Sequence, residues 1–272
     1  MAEESDVQAF FGRHAADYAQ SEGHRSGADL AMLVAALMPV QGRDCLDVAT
    51  GTGFTAVALA QAGGRVVAVD LTAPMLAETE RLAAEAGTAV RVVRGDAAKL
   101  PFADASFDRL SCRRAAHHFD DVPAFLAEAR RVLRPGGRLA IADMAPDATC
   151  AAFQDHIERL RDASHRHALS PDEWRDAVQD AGFEGVAVEL WHERQTFERW
   201  YYPVTEVAAR RRIEAEMAGA APRVAAALGL RREADGSWSL VKQRAVVSAT
   251  CPVCPGDADG GRRRQEPARE GA

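Results

Sequence analysis

Short apolar runs alternate with amphipathic segments from residue 44 onward. The runs occupy residues 44–49, 65–70, 89–94, 107–112 and 138–143. Apolar positions at helical spacing separate them, and residues such as Gly87 mark the helix ends. This alternation of strand and helix is typical of a parallel sheet that is covered on both faces. The pattern therefore predicts an α/β core in this part of the chain.

Segments with apolar residues at helical spacing also lie before and after this core. Apolar positions from Val7 to Tyr18 predict a first amphipathic helix, and a second is predicted from Ala28 to Met38. The elements predicted after the fifth run are a helix near 148–163, a capped helix from Ser170 to Ala181, a strand at 184–191, a helical insertion at 196–228 and a last strand at 237–249.

The charge balance and apolar runs exclude some classes of protein. The formal net charge is −7, which argues against a nucleic-acid partner because such binding normally needs a clustered basic face. No apolar run approaches the ~20 residues that a membrane-spanning helix requires. The acidic start, Met1 to Asp6, does not have the pattern of a signal peptide. We therefore expect a cytoplasmic protein without a membrane span.

The cysteines indicate a reducing compartment. There are five, an odd number that argues against a disulfide framework. The pair Cys251 and Cys254 supplies only half of a tetrahedral zinc site. We interpret this pair as part of a solvated tail.

The first predicted strand leads into a turn with an acidic residue, Cys45-Leu-Asp-Val-Ala-Thr-Gly-Thr-Gly53. The spacing of Gly51, Gly53 and Asp70 also fits the fingerprint of a dinucleotide-binding βαβ unit. However, the carboxylate of Asp47 would repel a pyrophosphate at the following helix N-terminus. A cationic nucleoside without phosphate fits the turn better.

The segment Asp47-Val-Ala-Thr-Gly-Thr-Gly53 resembles motif I of class I S-adenosylmethionine-dependent methyltransferases. Leu100-Pro-Phe-Ala-Asp-Ala-Ser-Phe-Asp108 and Arg130-Arg-Val-Leu-Arg-Pro-Gly-Gly137 resemble the group that includes the ubiquinone and menaquinone biosynthesis enzymes. The resemblance implies a Rossmann-like, doubly wound, seven-stranded α/β sheet, mostly parallel with the last strand antiparallel. It also implies S-adenosyl-L-methionine as the cofactor.

With this resemblance, residues 1–250 are expected to form one methyltransferase domain. Its expected parts are a helical lid (1–43), a cofactor-binding core (44–145), an acceptor-side cap with the sixth strand (146–236) and the last strand (237–250). Because Gly, Asp, Arg, Glu and Pro dominate from Pro255 onward, residues 251–272 are expected to form a disordered tail.

The ends of the strands supply the expected cofactor contacts, since ligands of open α/β sheets bind there. Asp70 can accept both ribose hydroxyl protons. The resemblance implies that Asp96 accepts the adenine amino group and that Tyr18 belongs to a lid. The full expected cofactor-binding set is Tyr18, Asp47, Ala49, Thr50, Gly51, Gly53, Asp70, Leu71, Met75, Gly95, Asp96, Ala97 and Arg113.

The loop after the fourth strand is expected to lie beside the transferred methyl group. His117 or His118 could act as a catalytic base, because imidazole titrates near neutrality. A structural role in orienting the loop is the alternative for this pair. Arg113 and Arg114 suggest an anionic acceptor, and a salt bridge to the helical cap explains them nearly as well.

The predicted function is methyl transfer to a small-molecule acceptor, anionic or aromatic in character, without a resident metal. A homodimer is compatible with the sequence. Two other functions stay open at this stage: a regulatory protein that binds the cofactor without transferring methyl, and a nicotinamide-dependent oxidoreductase. The sequence does not identify the acceptor atom, because one fold serves many chemistries.

Overall fold

The computed structural model of the chain describes residues 6–253 and has one mixed sheet with helices on both faces. The strands are β1 (Asp44–Val48), β2 (Arg65–Asp70), β3 (Val90–Arg94), β4 (Phe107–Arg113), β5 (Leu133–Met144), β6 (Glu184–Thr196), β7 (Arg231–Arg232) and β8 (Trp238–Thr250). Their order is β3-β2-β1-β4-β5-β8-β6, with β7 paired to β8. Strands β1 to β5 are parallel, and β8 is antiparallel to both β5 and β6. The predicted Rossmann-like fold is confirmed, with the two-residue β7 as an unpredicted addition.

Helices fill the connections and build a cap. Within the described residues they are α1 (Asp6–Gln20), α2 (Glu22–Arg25), α3 (Ala28–Leu37), α4 (Phe54–Gln61), α5 (Ala73–Glu85), α6 (Val122–Val132), α7 (Ala151–Arg161), α8 (Pro171–Asp180), α9 (Phe197–Tyr201), α10 (Val207–Ala218) and α11 (Pro222–Ala227). A short 3-10 helix covers Ala116–His118. The predicted cap on α8 is present, since Ser170 and Glu173 form a reciprocal capping box.

Two boundaries differ from the sequence prediction. Strand β5 begins at Leu133, five residues before the predicted start at 138, because Leu133 already pairs with Phe107 of β4. Strand β6 continues five residues beyond the predicted end at 191, to Thr196, through its pairing with β8.

The expected tail also begins later than residue 251. Cys251 is fully buried, and its N–H donates to the carbonyl of Gly137, which corrects the interpretation of this cysteine as solvated. Cys254 and the rest of the expected tail lie outside the described residues.

Alternate side chains of the central strands pack on opposite faces of the sheet. Leu46 and Val48 of β1 face α6 and α8, where they join a cluster with Phe125 and Trp174. Cys45 faces α3 and α4. A separate cluster forms under α1, α7 and α9 to α11, and its buried members include Phe10, Ile157, Phe197, Trp200 and Ile213. The cap therefore has its own apolar core.

The order in which strands are added to the sheet reverses between β1 and β4. The strands β2 and β3 lie on one side of β1, whereas β4 and β5 lie on the other. Connections leave the two sides in opposite directions at this point, which opens a crevice at the carboxyl ends of the strands. The end of β1, at Asp47 and Val48, therefore lies at the centre of the site.

Candidate active site

A cavity of about 470 Å³ lies at the carboxyl ends of β1 to β4 and is roofed by α1. This volume is in the range of small-molecule and cofactor sites. Twelve residues predicted to bind cofactor or to act in catalysis line it: Tyr18, Ala49, Thr50, Gly51, Asp70, Leu71, Met75, Gly95, Asp96, Ala97, Arg113 and His118. Asp47, Gly53 and His117, which were also predicted, are not part of the cavity wall.

Asp47 lies directly behind the wall. Its carboxylate accepts hydrogen bonds from Thr50 Oγ1 and from Ser111 Oγ, each at 2.6 Å. Ser111 is its cross-strand partner on β4, so the sheet register itself creates this contact. Burial raises the pKa of Asp47 to about 6, although both hydroxyl groups favour the charged form. Asp47 therefore fixes Thr50 and places negative potential under the turn, rather than forming the surface of the cavity.

The two glycines of the turn have different surroundings. Both have positive φ, +57° at Gly51 and +90° at Gly53. A Cβ atom on Gly51 would meet no atom within 4 Å, whereas one on Gly53 would lie 2.7 Å from Thr79 Cγ2. Gly51 is thus open to a ligand, and Gly53 is required for the packing of α5 against the turn.

Asp70 connects two loops at the cavity wall. Its Oδ2 accepts the N–H of Gly51 at 2.9 Å, and its Oδ1 accepts the N–H of Thr72 at 2.8 Å. Burial raises its pKa, against the effect of these backbone hydrogen bonds. Each carboxylate oxygen still has a second acceptor position. The side chain can therefore bind a pair of neighbouring hydroxyl groups without losing its loop contacts.

The wall beside Asp70 suits a flat ring. Leu71 and Met75 line one part of it, and the segment Gly95 to Ala97 lines another. Asp96 is exposed, and its Oδ1 accepts the N–H of Ala98 at 2.9 Å. This arrangement combines apolar surface with one carboxylate, as an adenine ring requires for its faces and its amino group.

Arg113 and Arg114 form ion pairs with the same carboxylate. Arg113 donates to both oxygens of Asp29 at 2.9 and 3.1 Å, and Arg114 does so at 2.7 and 2.8 Å. Asp29 stands at the beginning of α3 and is buried. The salt-bridge alternative is therefore present, but its partner is the helix before the core rather than the later cap. Two guanidinium groups share one carboxylate, so this part of the wall keeps a positive charge.

The two adjacent histidines have different positions. His117 Nδ1 lies 2.5 Å from Asp143 Oδ1, at the end of β5, and its N–H donates to the other carboxylate oxygen. His118 lines the cavity, packs edge-to-face against Phe11 and contacts Ser164 Oγ through Nδ1 at 3.0 Å. Burial and the neighbouring His117 hold the pKa of His118 well below its usual range.

Several functional candidates were missed by sequence reasoning. Asp143 could have been found, because it ends a predicted strand at the same edge as Asp47 and Asp70. Ser164 and Asp29 gave no such signal, since their roles depend on distant partners. The cavity wall further includes Val7, Gln8, Phe11, Thr55, Ala115, Phe119, Asp120, Asp121 and Arg166.

A buried charge network was also missed. Glu158 of α7 binds Lys242 Nζ at 2.6 Å and Trp200 Nε1 at 2.9 Å, and its other oxygen binds Arg161 at 2.9 Å. Tyr18 lies beside this network, and burial raises its pKa to about 12. The network thus joins the lid helix α1 to the cap and to β8.

Two of the histidines that follow α7 share one carboxylate partner. His165 and His167 both contact Asp155, at 2.7 and 2.6 Å. Across residues 6–253, no group of three or more His, Cys, Asp or Glu side chains is arranged to hold a metal ion. The same part of the chain contains no helix that is long and apolar enough to cross a membrane.

The cavity lining is compatible with a cationic nucleoside such as S-adenosylmethionine. It offers an open glycine turn, a carboxylate with unused acceptor positions and apolar surface, as described above. The buried Asp47 adds negative potential near the turn, which suits a cationic ligand and disfavours a pyrophosphate.

Comparison with known proteins gives the same result. Residues 46–141 match the sequence profile of the Methyltransferase domain family. The uncharacterized methyltransferase YcgJ of Bacillus subtilis is 33% identical over 193 residues, 70% of this chain and 76% of that protein. The crystal structure of YcgJ superimposes with a TM-score of 0.79 and 26% identity, over 84% of this chain and all of that one.

Two other relatives are similar over smaller shares of their own length. The ubiquinone/menaquinone biosynthesis C-methyltransferase UbiE of Paracoccus denitrificans is 44% identical over 113 residues, 40% of this chain and 45% of that protein. A Haemonchus contortus phosphoethanolamine N-methyltransferase, solved with S-adenosylhomocysteine, shares the fold at a TM-score of 0.60 and 20% identity, over 91% of this chain and 59% of that one. From the motif, the cavity and these similarities together, the chain belongs to the S-adenosylmethionine-dependent methyltransferases.

Proposed function

We propose that this methyltransferase acts on a small-molecule acceptor that enters the cavity beneath α1. The observation that carries this proposal is the cavity wall itself. Beyond the loops expected to bind cofactor, the wall continues over Phe11, His118, Phe119 and Arg166. This second part is largely aromatic and lies under a helix, and its Arg166 is ion-paired with Asp120, so it suits a compact molecule better than a polymer strand.

The nature of the wall narrows the acceptor class. Phe11 and Phe119 offer flat apolar surface, and the Arg113–Arg114 pair adds the positive charge that Asp29 does not balance. The UbiE relative, by its name, methylates carbon in quinone biosynthesis. These features favour an aromatic or quinone-like acceptor with anionic character.

The proposed cofactor contacts follow the wall. Asp70 binds the ribose hydroxyl groups, and Asp96 with the Ala97 N–H binds the adenine edge between Leu71 and Met75. Tyr18, Ala49, Thr50, Gly51, Gly95 and Arg113 complete the surface around the cofactor. Asp47 supports Thr50 from behind. When bound, the cofactor supplies an electrophilic methyl group on a sulfonium, and the protein contributes alignment and exclusion of water.

Calorimetric binding of S-adenosylmethionine, S-adenosylhomocysteine and NAD tests the cofactor contacts. We expect both adenosyl ligands to bind the wild type. Asp70→Asn should weaken them by about 1.5–3 kcal/mol, because a charged hydrogen-bond partner of the ribose is lost. The matched control is Asp172→Asn, an exposed carboxylate on α8 that should leave binding unchanged. Binding of NAD in place of the adenosyl ligands would contradict the proposal.

Turnover tests the acceptor class. The wild type is incubated with S-adenosylmethionine and a panel of phenols, hydroquinones and aromatic acids, and S-adenosylhomocysteine formation is measured. Formation with a member of the panel supports the small aromatic acceptor. Formation only with nucleic acid or protein substrates would contradict it.

A further inference from the structure

We propose that His118 is the catalytic base of this enzyme and that Ser164 and Asp162 position it, with Nε2 as the atom that accepts the proton. The inference rests on the proposed function, because it assigns a protic acceptor, such as a hydroxyl group, to the same cavity. It also chooses between the two adjacent histidines, which the sequence did not separate.

The direction of the hydrogen bonds fixes the tautomer of His118. Ser164 Oγ lies 2.6 Å from Asp162 Oδ1 and 3.0 Å from His118 Nδ1. A carboxylate can only accept, so the Ser164 hydroxyl proton is donated to Asp162. Ser164 Oγ is then the acceptor for His118, whose proton must lie on Nδ1. The lone pair of the imidazole is therefore on Nε2.

His118 lines the cavity, and its side-chain hydrogen bond to Ser164 uses Nδ1, so Nε2 is the ring nitrogen left to meet an acceptor. The ring is held on one side by Phe11, at 4.9 Å between centroids, and on another by His117, at 4.1 Å. Its orientation is thus set by packing as well as by Ser164.

Asp162 is a buried carboxylate that anchors Ser164. It is 1% exposed, and the Ser164 N–H and hydroxyl both donate to its Oδ1. Its Oδ2 is buried and has no hydrogen-bond partner among residues 6–253. Asp162 therefore fixes the direction of the Ser164 hydroxyl, which leaves Ser164 Oγ as the acceptor for His118 Nδ1.

The surroundings of His118 disfavour its protonated form before the reaction. Burial is the largest cause, and the neighbouring His117, His165 and Arg161 add to it, so the pKa of His118 is held well below its usual range. A weak base is sufficient here, because a hydroxyl proton becomes strongly acidic as the oxygen lone pair is shared with the methyl carbon.

Bonds, protons and charge are conserved in the proposed step. The acceptor oxygen forms its bond to the methyl carbon with a lone pair, while the carbon–sulfur pair returns to sulfur, which becomes a neutral thioether. The hydroxyl proton passes to His118 Nε2. One positive charge is lost at sulfur and one appears on the imidazole, so the cavity keeps its net charge throughout.

His117 does not fulfil these conditions. Its Nδ1 is held by Asp143, and it is absent from the cavity wall. We assign it the positioning of the loop through Asp143.

The test that needs no acceptor is nitrogen NMR of protein labelled with ¹⁵N-histidine, in the complex with S-adenosylhomocysteine at pH 7.5. We expect the His118 ring to be neutral and protonated on Nδ1, with the signal assigned by its loss in His118→Gln. In Ser164→Ala the Nδ1 proton should exchange faster or the tautomer should become mixed. His167→Gln, on the same segment, serves as the control and should leave the His118 signal unchanged. A His118 ring protonated on Nε2, or charged at this pH, overturns the inference.

Turnover provides the second readout, with the acceptor that the panel identifies. His118→Gln should lower kcat about 100-fold, in the range of general-base catalysis, and Ser164→Ala about 10-fold. Both should bind S-adenosylhomocysteine within twofold of wild type. Wild-type kcat in His118→Gln would overturn the inference while leaving the proposed function intact. Absence of adenosyl-ligand binding in the wild type would instead overturn the proposed function.

Discussion

Neighbouring residues of the turn between β1 and α4 have different surroundings, since some line the cavity and others pack behind it. Gly51 and Gly53 have the same spacing signal, but only Gly51 lies on the cavity wall. Gly53 lies against Thr79, whose hydroxyl donates to the carbonyl of Gly51 at 2.9 Å. Asp47 also lies behind the cavity wall, and it accepts a hydrogen bond from Thr50, which is part of the wall. The motif therefore contains residues that shape the turn and residues that line the cavity.

Gly53→Ala should destabilise the protein more than an alanine at a glycine with open space. At Gly53 the new Cβ would lie 2.7 Å from Thr79 Cγ2 and 3.0 Å from Thr79 Cα, in addition to the strain of a φ of +90°. We expect a loss of about 2–4 kcal/mol, because both strain and overpacking contribute. Urea denaturation measures the free energy of unfolding.

Gly87→Ala is the matched control. Its φ is +64°, but a Cβ atom there meets nothing within 4 Å. The free energy of unfolding of the control should fall by only ~1 kcal/mol, which is the cost of placing alanine in the left-handed conformation. Equal losses in the two variants would show that Thr79 gives way and that Gly53 is not a packing requirement.

At the scale of elements, one buried carboxylate attaches α3 to the sheet. Asp29, in the first turn of α3, binds both arginines at the end of β4, and all three side chains are less than 10% exposed. Burial alone would raise the pKa of Asp29, but the charges of Arg114 and Arg113 outweigh it and hold the pKa far below its usual range. The helix start and the cavity wall are therefore stabilised together.

Asp29→Asn should lower the free energy of unfolding at pH 7 by about 3–5 kcal/mol, because two buried guanidinium groups lose the carboxylate that both of them contact. The difference from wild type should shrink as the pH falls below about 4. The pKa of Asp29 is lower in the folded protein than in the unfolded chain. Its contribution to stability is therefore complete at a pH above the unfolded pKa, and it is lost as the pH falls toward the folded pKa.

Urea denaturation of both proteins at pH 7 and at pH 3.5 measures this change. Asp172→Asn removes an exposed ion pair with Arg175 and should cost no more than about 0.5 kcal/mol at either pH. A constant difference between Asp29→Asn and wild type across this range would contradict the assigned role.

At the scale of the whole molecule, α1 connects the cavity to the cap. Phe11 and Tyr18 line the cavity, whereas Phe10 belongs to the buried cluster of the cap. Tyr202 Oη donates to the carbonyl of Asp17 at 3.4 Å and adds a contact from beyond α9. A ligand in the cavity thus touches a helix that the cap also holds.

S-adenosylhomocysteine should protect α1 from hydrogen exchange. At 100 times its Kd, a ligand stabilises its binding-competent state by about 2.7 kcal/mol, so α1 amides that open locally should exchange up to about 100-fold more slowly. Helix α8, which has no residue on the wall of this cavity, is the internal control. Equal changes in α1 and α8, measured by mass spectrometry, would show that α1 is not part of the ligand site.

The local pattern of apolar and polar residues was sufficient to predict most of the strands and helices. Strands β1 to β4 were predicted to within one residue at each end, and β5 except for its first five residues, because a buried parallel strand appears as a continuous apolar run. Errors arose where pairing, rather than composition, decides the structure. The last part of β6 is largely exposed, and β7 has two arginines, so neither had an apolar signal. Both exist because β8 offers hydrogen-bond partners.

The sequence by itself determined the fold class and the cofactor, and it predicted twelve of the residues on the cavity wall. The motif residues followed from the family resemblance together with the rule that ligands meet the ends of parallel strands. The tertiary structure alone decided the partners of the charged groups: Asp29 is 84 residues from Arg113, and Glu158 is 84 from Lys242. It also separated His118 from His117. Such choices depend on which elements become neighbours and on the burial this creates, and both are properties of the folded chain rather than of any local segment.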